Sequence, residues 1–305
     1  MRPLKKLTLN IISKVNINVK EHYKSYRLMQ KVVNPAIAPV YKKLDEKIYL
    51  NGNEIPVRLF IPEVQKNSQV LLFFHGGGWV TGDIDSYTNL CSRLANETNR
   101  RVISVDYRLA PEYPYPSGLK DCYQVAKYLF NNLHLLSCSK EDIILIGDSA
   151  GGNLAACVSL LLRDKKETVP KKQVLIYPAT NYDHTESSPY KSVVEFGEGY
   201  ILTSKRIQDY MELYVPNYED RVSPYVAPIL SKDLSNQPET LIITAEYDPL
   251  RDEGEAYGKK LESFGNTVHI FRVKDAVHGY LNSPIESSAI RETYTIISKF
   301  LDNLL

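Results

Sequence analysis

Short apolar runs alternate with amphipathic stretches along most of the chain. The runs read QVLLFF, RVISV, DIILIG, KQVLIYPA, TLIITAEY and TVHIFRV, and each has the length and β-branched content of a buried strand. Stretches with apolar side chains at helical spacing lie between them, among them YTNLCSRLANETN, GLKDCYQVAKYLFNNLHLL and GNLAACVSLLLRDK. Strands that alternate with helices predict an α/β protein with a mostly parallel central sheet and helices on both faces.

Two segments interrupt this alternation. EKIYLNGNEIPVRLFIP, ahead of the first buried run, predicts two strands joined by a tight turn at Asn51 and Gly52. From Asn181 to about Pro224 there is no strand pattern, and prolines and tyrosines are frequent, although SKRIQDYMELYV has a helical pattern. A helical insertion between two strands of such a sheet predicts a lid over the strand ends.

The first twenty residues carry apolar side chains at helical spacing. These are Leu4, Leu7, Ile11, Val15 and Val19. Polar residues such as Asn10 and Ser13 interrupt the apolar stretch, so a signal peptide is not expected. We expect a helix that packs on its own protein; attachment to a membrane surface is the alternative, and the dispersed lysines argue against it. No run approaches the roughly 18 apolar residues of a membrane span, so no stable membrane insertion is expected.

The charge balance and the cysteines argue against several classes of function, namely binding of nucleic acid, of anionic lipid and of a metal ion. Lysine and arginine number 37 and aspartate and glutamate 36, so no net field attracts the protein to nucleic acid or anionic lipid. The cysteines have no CxxC pair and no histidine at metal-binding spacing; they are Cys91, Cys122, Cys138 and Cys157. We therefore expect reduced thiols in a cytoplasmic protein without a metal site.

GDSAGG, residues 147–152, lies where a strand pattern gives way to a helical one. A serine hydroxyl is a poor nucleophile until a base takes its proton, and a sharp strand-to-helix turn would lift Ser149 clear of the sheet. Such a turn crowds the neighbouring positions, which Gly147 and Gly151 permit. The pattern predicts a nucleophile elbow; a glycine-rich helix start with an incidental serine is the alternative.

HGGGWVTGD follows another buried run. Consecutive glycines leave backbone amides accessible, and acyl transfer needs such donors to bind the oxyanion of the tetrahedral intermediate. We assign this oxyanion hole to the amides of Gly76 and Gly77, with the amide of Ala150 as the third donor. A phosphate-binding loop would need a lysine and a hydroxyl residue where Trp79 and Val80 stand.

The general base is expected to be His278, in DAVHGYL. It follows the last strand pattern by a short loop, where a base could reach the strand ends. The other histidines lie in predicted helices, in the lid, in the glycine loop or within a strand pattern: His22, His134, His184, His75 and His269.

The acid that orients this base is expected at the end of the preceding strand pattern. Asp248 lies just past TLIITAEY and before a proline, with Glu246 as the second candidate. Asp252 is expected to cap the next helix instead. Asp148 is too close to the elbow to reach the far ring nitrogen of His278.

Five motifs together resemble the hormone-sensitive lipase family of carboxylesterases. HGGGWV, DYRLAPEYPYP, GDSAGGN, EYDPLRDEG and VHGY occur in the family's order and at similar spacing. The resemblance implies an α/β-hydrolase fold with a catalytic triad of Ser149, Asp248 and His278, in the chain order expected for that fold. It covers the chain from about residue 45 to the C-terminus.

The resemblance also implies a division of the chain. Residues 46–180 and 226–305 would form the hydrolase core, and residues 1–45 and 181–225 a helical cap over the active site. The cap departs from the family in its tyrosines, which leaves the preferred acyl chain open: Tyr182, Tyr190, Tyr200, Tyr210 and Tyr214.

The expected activity is that of a serine carboxylesterase that hydrolyses small short-chain esters through an acyl-enzyme, without metal or cofactor. Trp79 and Tyr200 are expected to line the substrate pocket. Amide hydrolysis, as in relatives resembling arylacetamide deacetylase, is the alternative. A non-catalytic receptor, as in the gibberellin receptors, is a further alternative, but those lack the triad histidine. The last strand pattern, TVHIFRV, is expected at a sheet edge, where a homodimer could form.

Overall fold

Residues 18–34, 42–50 and 52–305 are described by the structure, a computed structural model. The predicted apolar stripe from Leu4 to Val15 lies outside these residues. The first described helix, α1, spans Val19–Val33 and begins at Val19, the remaining apolar residue of the predicted stripe. Asn18 caps it, since its side chain accepts a hydrogen bond from the Lys20 amide (3.1 Å).

Eight strands form one sheet in the described part of the chain. They are β1 (Lys42–Leu50), β2 (Asn53–Ile61), β3 (Val70–Phe74), β4 (Arg101–Val105), β5 (Ile143–Asp148), β6 (Lys172–Ile176), β7 (Glu239–Tyr247) and β8 (Val268–Val277). Their order across the sheet is β1-β2-β4-β3-β5-β6-β7-β8. β2 is antiparallel to β1 and β4, and every neighbouring pair from β4 through β3, β5, β6 and β7 to β8 is parallel. The predicted mostly parallel sheet is confirmed.

The predicted hairpin is also confirmed, with Leu50 opposite Asn53 in the β1–β2 pair. Because β1 begins at Lys42, the core sheet takes in the last residues of the segment predicted as cap, which corrects the boundary drawn after residue 45. β8 is the edge strand, as TVHIFRV suggested.

Helices cover both faces of the sheet. After α1 they are α2 (Thr88–Thr98), α3 (Ser117–Asn131), α4 (Ala150–Asp164), α5 (Lys191–Glu195), α6 (Ser204–Tyr214), α7 (Arg251–Ser263) and α8 (Ser288–Leu301). One core contains side chains of α3, α4 and α7, and the other those of α2 and α8. Alternate residues of β3 contribute to the two cores, with Leu72 in the first and Phe73 in the second. This two-sided burial is why the strands read as continuous apolar runs.

The parallel arrangement brings the predicted functional motifs together at one edge of the sheet. The carboxyl ends of β3, β5, β7 and β8 meet there, and each leads directly into one of the sequence motifs. The insertion between β6 and β7 carries α5 and α6, with no strand among its residues. α1 contacts α6 through an ion pair between Lys20 and Asp209 (3.6 Å). None of the helices that the structure describes has the length and apolar character to cross a membrane.

Candidate active site

Ser149 lies between the last residue of β5 and the first residue of α4. Its backbone has φ 55° and ψ −119°, in a region that serine rarely adopts. The surrounding backbone holds it there, because the Ser149 amide donates to the Ile176 carbonyl (2.8 Å) and its carbonyl accepts from the Asn153 amide (3.0 Å). The conformation is that of a nucleophile elbow.

The two glycines that flank this serine allow the chain to approach itself. A Cβ at Gly147 would overlap the Gly151 carbonyl, and a Cβ at Gly151 would overlap the Phe74 carbonyl at the end of β3. Gly147 is therefore required by the tight strand-to-helix turn, and Gly151 by the close approach of the end of β3. The G-x-S-x-G spacing follows from this packing.

His278 follows the last residue of β8 and contacts both other residues of the predicted triad. Its Nε2 lies 2.8 Å from Ser149 Oγ, and its Nδ1 lies 2.7 Å from Asp248 Oδ2. An ionised carboxylate only accepts hydrogen bonds, so Nδ1 carries the proton and donates to Asp248. Nε2 is thereby left as the acceptor for the Ser149 hydroxyl, which is the tautomer that a general base needs.

Asp248 is fully buried just past β7, and its other oxygen, Oδ1, accepts from the Leu250 amide (2.9 Å). Glu246, the second candidate, instead accepts from the Asp275 amide (2.7 Å). The prediction that Asp252 caps α7 is wrong: the capping position is Leu250, and Asp252 Oδ2 accepts from the Ser192 amide (2.9 Å) in the insertion. Asp252 thus joins the core to the segment over the site.

The glycine loop after β3 places its amides differently from the prediction. The Gly76 amide donates to Asp148 Oδ1 (2.8 Å), and Gly76 does not line the cavity at Ser149. Gly77, Gly78 and Ala150 do line it. Among the residues that the structure describes, no hydrogen-bond acceptor is found for these three amides. Assignment of the Gly76 amide to the oxyanion hole is therefore corrected, because that amide is already engaged.

His75 supports this loop rather than acting on substrate. Its Nδ1 donates to the Gly76 carbonyl (2.8 Å), and its ring stacks on Tyr107 with centroids 4.2 Å apart. Complete burial lowers the pKa of His75 to about 4, because a charged imidazolium would lose its hydration there. His75 is accordingly a neutral structural side chain at neutral pH.

Asp148 joins the elbow to the glycine loop. Its Oδ1 accepts from the Gly76 amide, and Oδ2 accepts from the Tyr87 hydroxyl (3.2 Å). Burial raises the pKa of Asp148 from 3.8 to about 6, although the Gly76 amide opposes the shift. This carboxylate fixes where the first amide of the loop points, and so which amides remain available to a ligand.

We expect Asp148→Asn to change how stability depends on pH. Because the pKa of Asp148 is raised on folding, the folded protein binds this proton more tightly, and its stability falls as pH rises from about 4 to about 7. Asparagine can still accept from the Gly76 amide but does not titrate. The free energy of unfolding of the variant should therefore gain on the order of 2 kcal/mol over the parent between pH 4 and pH 7. Urea unfolding at both pH values measures this, and a pH-independent difference would contradict it.

A cavity of about 830 Å³ opens above Ser149. It is mainly apolar, and its walls come from α1, from α6 with the residues before it, and from the loop between β8 and α8. The apolar lining residues of these three segments include Tyr26, Met29, Val33, Ile201, Leu202, Ile207, Tyr210, Pro284 and Ile285. Sequence reasoning missed them, apart from Tyr210 as one of the cap tyrosines. A signal was available for two of them: Ile207 and Tyr210 lie three residues apart in the helical pattern SKRIQDYMELYV and therefore share one apolar face of that helix.

The two predicted pocket residues differ in where they lie. Trp79 lines the cavity, and its buried ring stacks on Tyr214 with centroids 4.6 Å apart. The prediction for Tyr200 is wrong: it does not line the cavity but stacks on Tyr247 (6.0 Å) beside Phe196. Of the five cap tyrosines only Tyr210 reaches the cavity. Within the described residues, no cluster of three or more His, Cys, Asp or Glu side chains could hold a metal ion.

Comparison with known proteins agrees with this geometry. A family model described as the α/β-hydrolase fold matches residues 71–282. The arylesterase of Saccharolobus solfataricus is 37% identical over 289 residues, which cover 92% of each chain. The carboxylic ester hydrolase LipN of Mycobacterium tuberculosis is 36% identical over 239 residues, or 76% of this chain and 62% of LipN. The solved structure of the hyperthermophilic esterase of Pyrobaculum calidifontis has a TM-score of 0.87 at 34% identity and covers 100% of this chain and 98% of its own.

Fold and relatives together define a carboxylic ester hydrolase. The chain belongs to the α/β-hydrolase fold family, and the predicted resemblance to the hormone-sensitive lipase group of carboxylesterases is confirmed.

Proposed function

We propose that the protein is a serine esterase that works through an acyl-enzyme. The observation that carries the proposal is the continuous hydrogen-bonded series from Asp248 through His278 to Ser149. Ser149 Oγ attacks the ester carbonyl while His278 Nε2 takes its proton, and Asp248 stabilises the imidazolium. His278 then protonates the departing alcohol. A water molecule, deprotonated by the same nitrogen, attacks the acyl-enzyme and releases the acid.

We assign the oxyanion hole to the amides of Gly77, Gly78 and Ala150. Their cavity position supports this, as does the absence of any acceptor for them in the part of the chain that is described. Ala150 is also the first residue of α4, so the positive end of the helix dipole would stabilise the oxyanion.

The acyl chain is proposed to be short, from acetyl to about hexanoyl, because the Trp79 ring lines the cavity and the Tyr214 ring stacked behind it makes that part of the wall rigid. Each methylene that fits adds about 0.8 kcal/mol of burial, so kcat/KM of the parent should rise at first and fall where the wall is met. We expect Trp79→Ala to move the optimum to longer chains. Kinetics with p-nitrophenyl esters from acetate to palmitate test this.

The matched control for this series is Tyr200→Ala, which removes an aromatic ring outside the cavity and should leave the optimum unchanged. Palmitate turnover by the parent equal to butyrate turnover would contradict the short pocket. An unchanged optimum in Trp79→Ala would place the limit elsewhere, with Tyr210 as the next candidate.

Ester and amide hydrolysis would use the same groups, so the leaving group must be tested directly. We expect p-nitrophenyl acetate to be hydrolysed and p-nitroacetanilide to be turned over much more slowly. A fluorogenic acetate ester separates an enzyme from a non-catalytic receptor on the same fold. No turnover of any ester by the folded parent would favour the receptor.

We further propose a cap made of α1 and the insertion 181–225, with α5 tied to the core through Ser192 and Asp252. The four cysteines are free, which supports a reducing compartment such as the cytoplasm. Pairing of the β8 edge with a second copy stays a prediction, and sedimentation analysis would test it.

A further inference from the structure

An arginine of the insertion lines the mainly apolar cavity. Arg206 lies on α6, four residues before Tyr210, and both side chains line the cavity. The Arg206 side chain is half-buried, and its guanidinium lies over the Tyr26 ring of α1, with Cζ 5.7 Å from the ring centroid. A positive charge is thus held against α1 at the wall of the space above Ser149.

The guanidinium of Arg206 has donors without an acceptor. Its Nη1 donates to the Ile201 carbonyl. Nε is buried, and no described residue accepts a hydrogen bond from Nε or from Nη2. These two nitrogens lie on one edge of the planar group, and such an edge can bind both oxygens of a carboxylate. Within the described part of the chain, the edge of Arg206 that suits a carboxylate has no partner.

Arg206 also has no ion-pair partner among the carboxylates of the described residues. Residues 1–17, 35–41 and 51 contain no aspartate or glutamate that could supply one. Asp209, one turn further along α6, pairs instead with Lys20 and Lys205. A charge beside apolar surface loses hydration, and without an ion pair nothing in the protein compensates for that loss. An anionic ligand would provide the compensation.

The fold also limits how far this charge lies from the reacting ester. A Cβ at Gly78 would overlap the Tyr210 ring, so α6 contacts the glycine loop at that point. Arg206 precedes Tyr210 by four residues, which corresponds to about 6 Å along the helix axis. About five single bonds of an extended chain span that length.

We propose that Arg206 binds a carboxylate carried by the substrate, so that the protein prefers esters with a second, ionised acid group about five bonds from the reacting carbonyl. Monoesters of a six-carbon dicarboxylic acid fit this description. The proposal rests on the esterase function proposed above and names a class of substrate for it.

Two esters of one chain length test the proposal. Mono-p-nitrophenyl adipate has a free carboxylate, and p-nitrophenyl methyl adipate has the same chain with that group methylated. At low ionic strength we expect the parent to hydrolyse the charged ester with a kcat/KM about tenfold higher, through a lower KM. Arg206→Gln should reduce this ratio to about one. Arg206→Lys should retain part of it, because lysine keeps the charge but lacks the planar pair of donors.

A second pair of esters places the carboxylate on the alcohol side of the ester bond. The pair is 4-acetoxybenzoate and its methyl ester. A preference for the charged member that Arg206→Gln removes, in either pair, supports the proposal, and the pair that shows it identifies the side of the ester that α6 contacts.

Lys205→Gln is the matched control, because it removes the same charge from the adjacent position of α6. The Lys205 side chain is 71% exposed and does not line the cavity, so both ratios should stay at the parent's values. Lys274→Gln tests a second cation of the lining, which is exposed. The proposal is overturned if the parent prefers the charged ester in neither pair. It is also overturned if Arg206→Gln keeps the preference, or if Lys205→Gln or Lys274→Gln removes it to the same extent.

Failure of the esterase function gives a different result. A folded parent that hydrolyses neither member of either pair rejects that function, and calorimetric binding of adipate then decides the subsite. Binding that Arg206→Gln weakens by about tenfold would support the carboxylate subsite. Binding that is absent, or equal in the parent and in Arg206→Gln, would overturn it.

Discussion

Ser149→Ala is expected to lose on the order of a million-fold in kcat while the fold is retained. The substitution removes only the hydroxyl group, and in the proposed mechanism this is the group that attacks the ester. His278 and Asp248 would remain paired but would have no nucleophile to deprotonate. Turnover of p-nitrophenyl acetate measures the loss, and thermal unfolding with circular dichroism measures the fold.

The matched control for Ser149→Ala is Ser192→Ala, which removes a buried hydroxyl in the insertion, where Oγ donates to the Pro249 carbonyl (2.8 Å). We expect that variant to keep activity within about tenfold, because it leaves the proposed nucleophile in place. Parent-like activity in purified Ser149→Ala, with contaminating esterase excluded, would remove Ser149 from the mechanism.

Asp248→Asn is expected to lower kcat by about ten-thousand-fold. An asparagine amide can donate to His278 Nδ1, which favours the tautomer with its proton on Nε2, and that nitrogen could then no longer accept from Ser149. The side chain is fully buried, so solvent would not restore the lost carboxylate. Steady-state kinetics of the variant test this expectation.

Two neighbouring carboxylates provide controls for that variant. Glu246→Gln removes the second candidate for the acid, whose carboxylate accepts from the Asp275 amide. Asp252→Asn alters the contact with Ser192 in the insertion. Both should stay within about tenfold of the parent, since neither contacts His278. A larger loss for Glu246→Gln than for Asp248→Asn would show that the acid was misassigned.

Much of the fold could be predicted because its determinants are local. A strand buried on both faces needs a continuous apolar run, and DIILIG or TLIITAEY shows one without reference to any other segment. The turn at Ser149 needs glycine at position 147 for a steric reason that acts within five residues, because a Cβ there would overlap the Gly151 carbonyl. The residues that follow such strands could then be predicted to lie close together, because the carboxyl ends of parallel strands meet at one edge of the sheet.

The sequence could not predict which of the loop glycines has a backbone amide that is free to bind substrate. Gly76 and Gly77 are the same residue type in the same loop. The Asp148 carboxylate, 72 positions away in the chain, takes up the first of these amides. Tyr200 and Tyr210 likewise lie in one segment of the sequence. Tyr200 precedes α6 and stacks on Tyr247, whereas Tyr210 lies on the face of α6 that lines the cavity.

The sequence by itself determined the sheet, its layers and the residue types that meet at its edge, because periodicity and turn chemistry are properties of neighbouring residues. Only the tertiary structure decided which amides stay free, which rings line the cavity and which apolar side chains remain at its mouth. Those outcomes depend on contacts between segments distant in the chain, as between Arg27 and the Val80 carbonyl. No local pattern encodes them, because a residue's free surface is what remains after every other segment has packed.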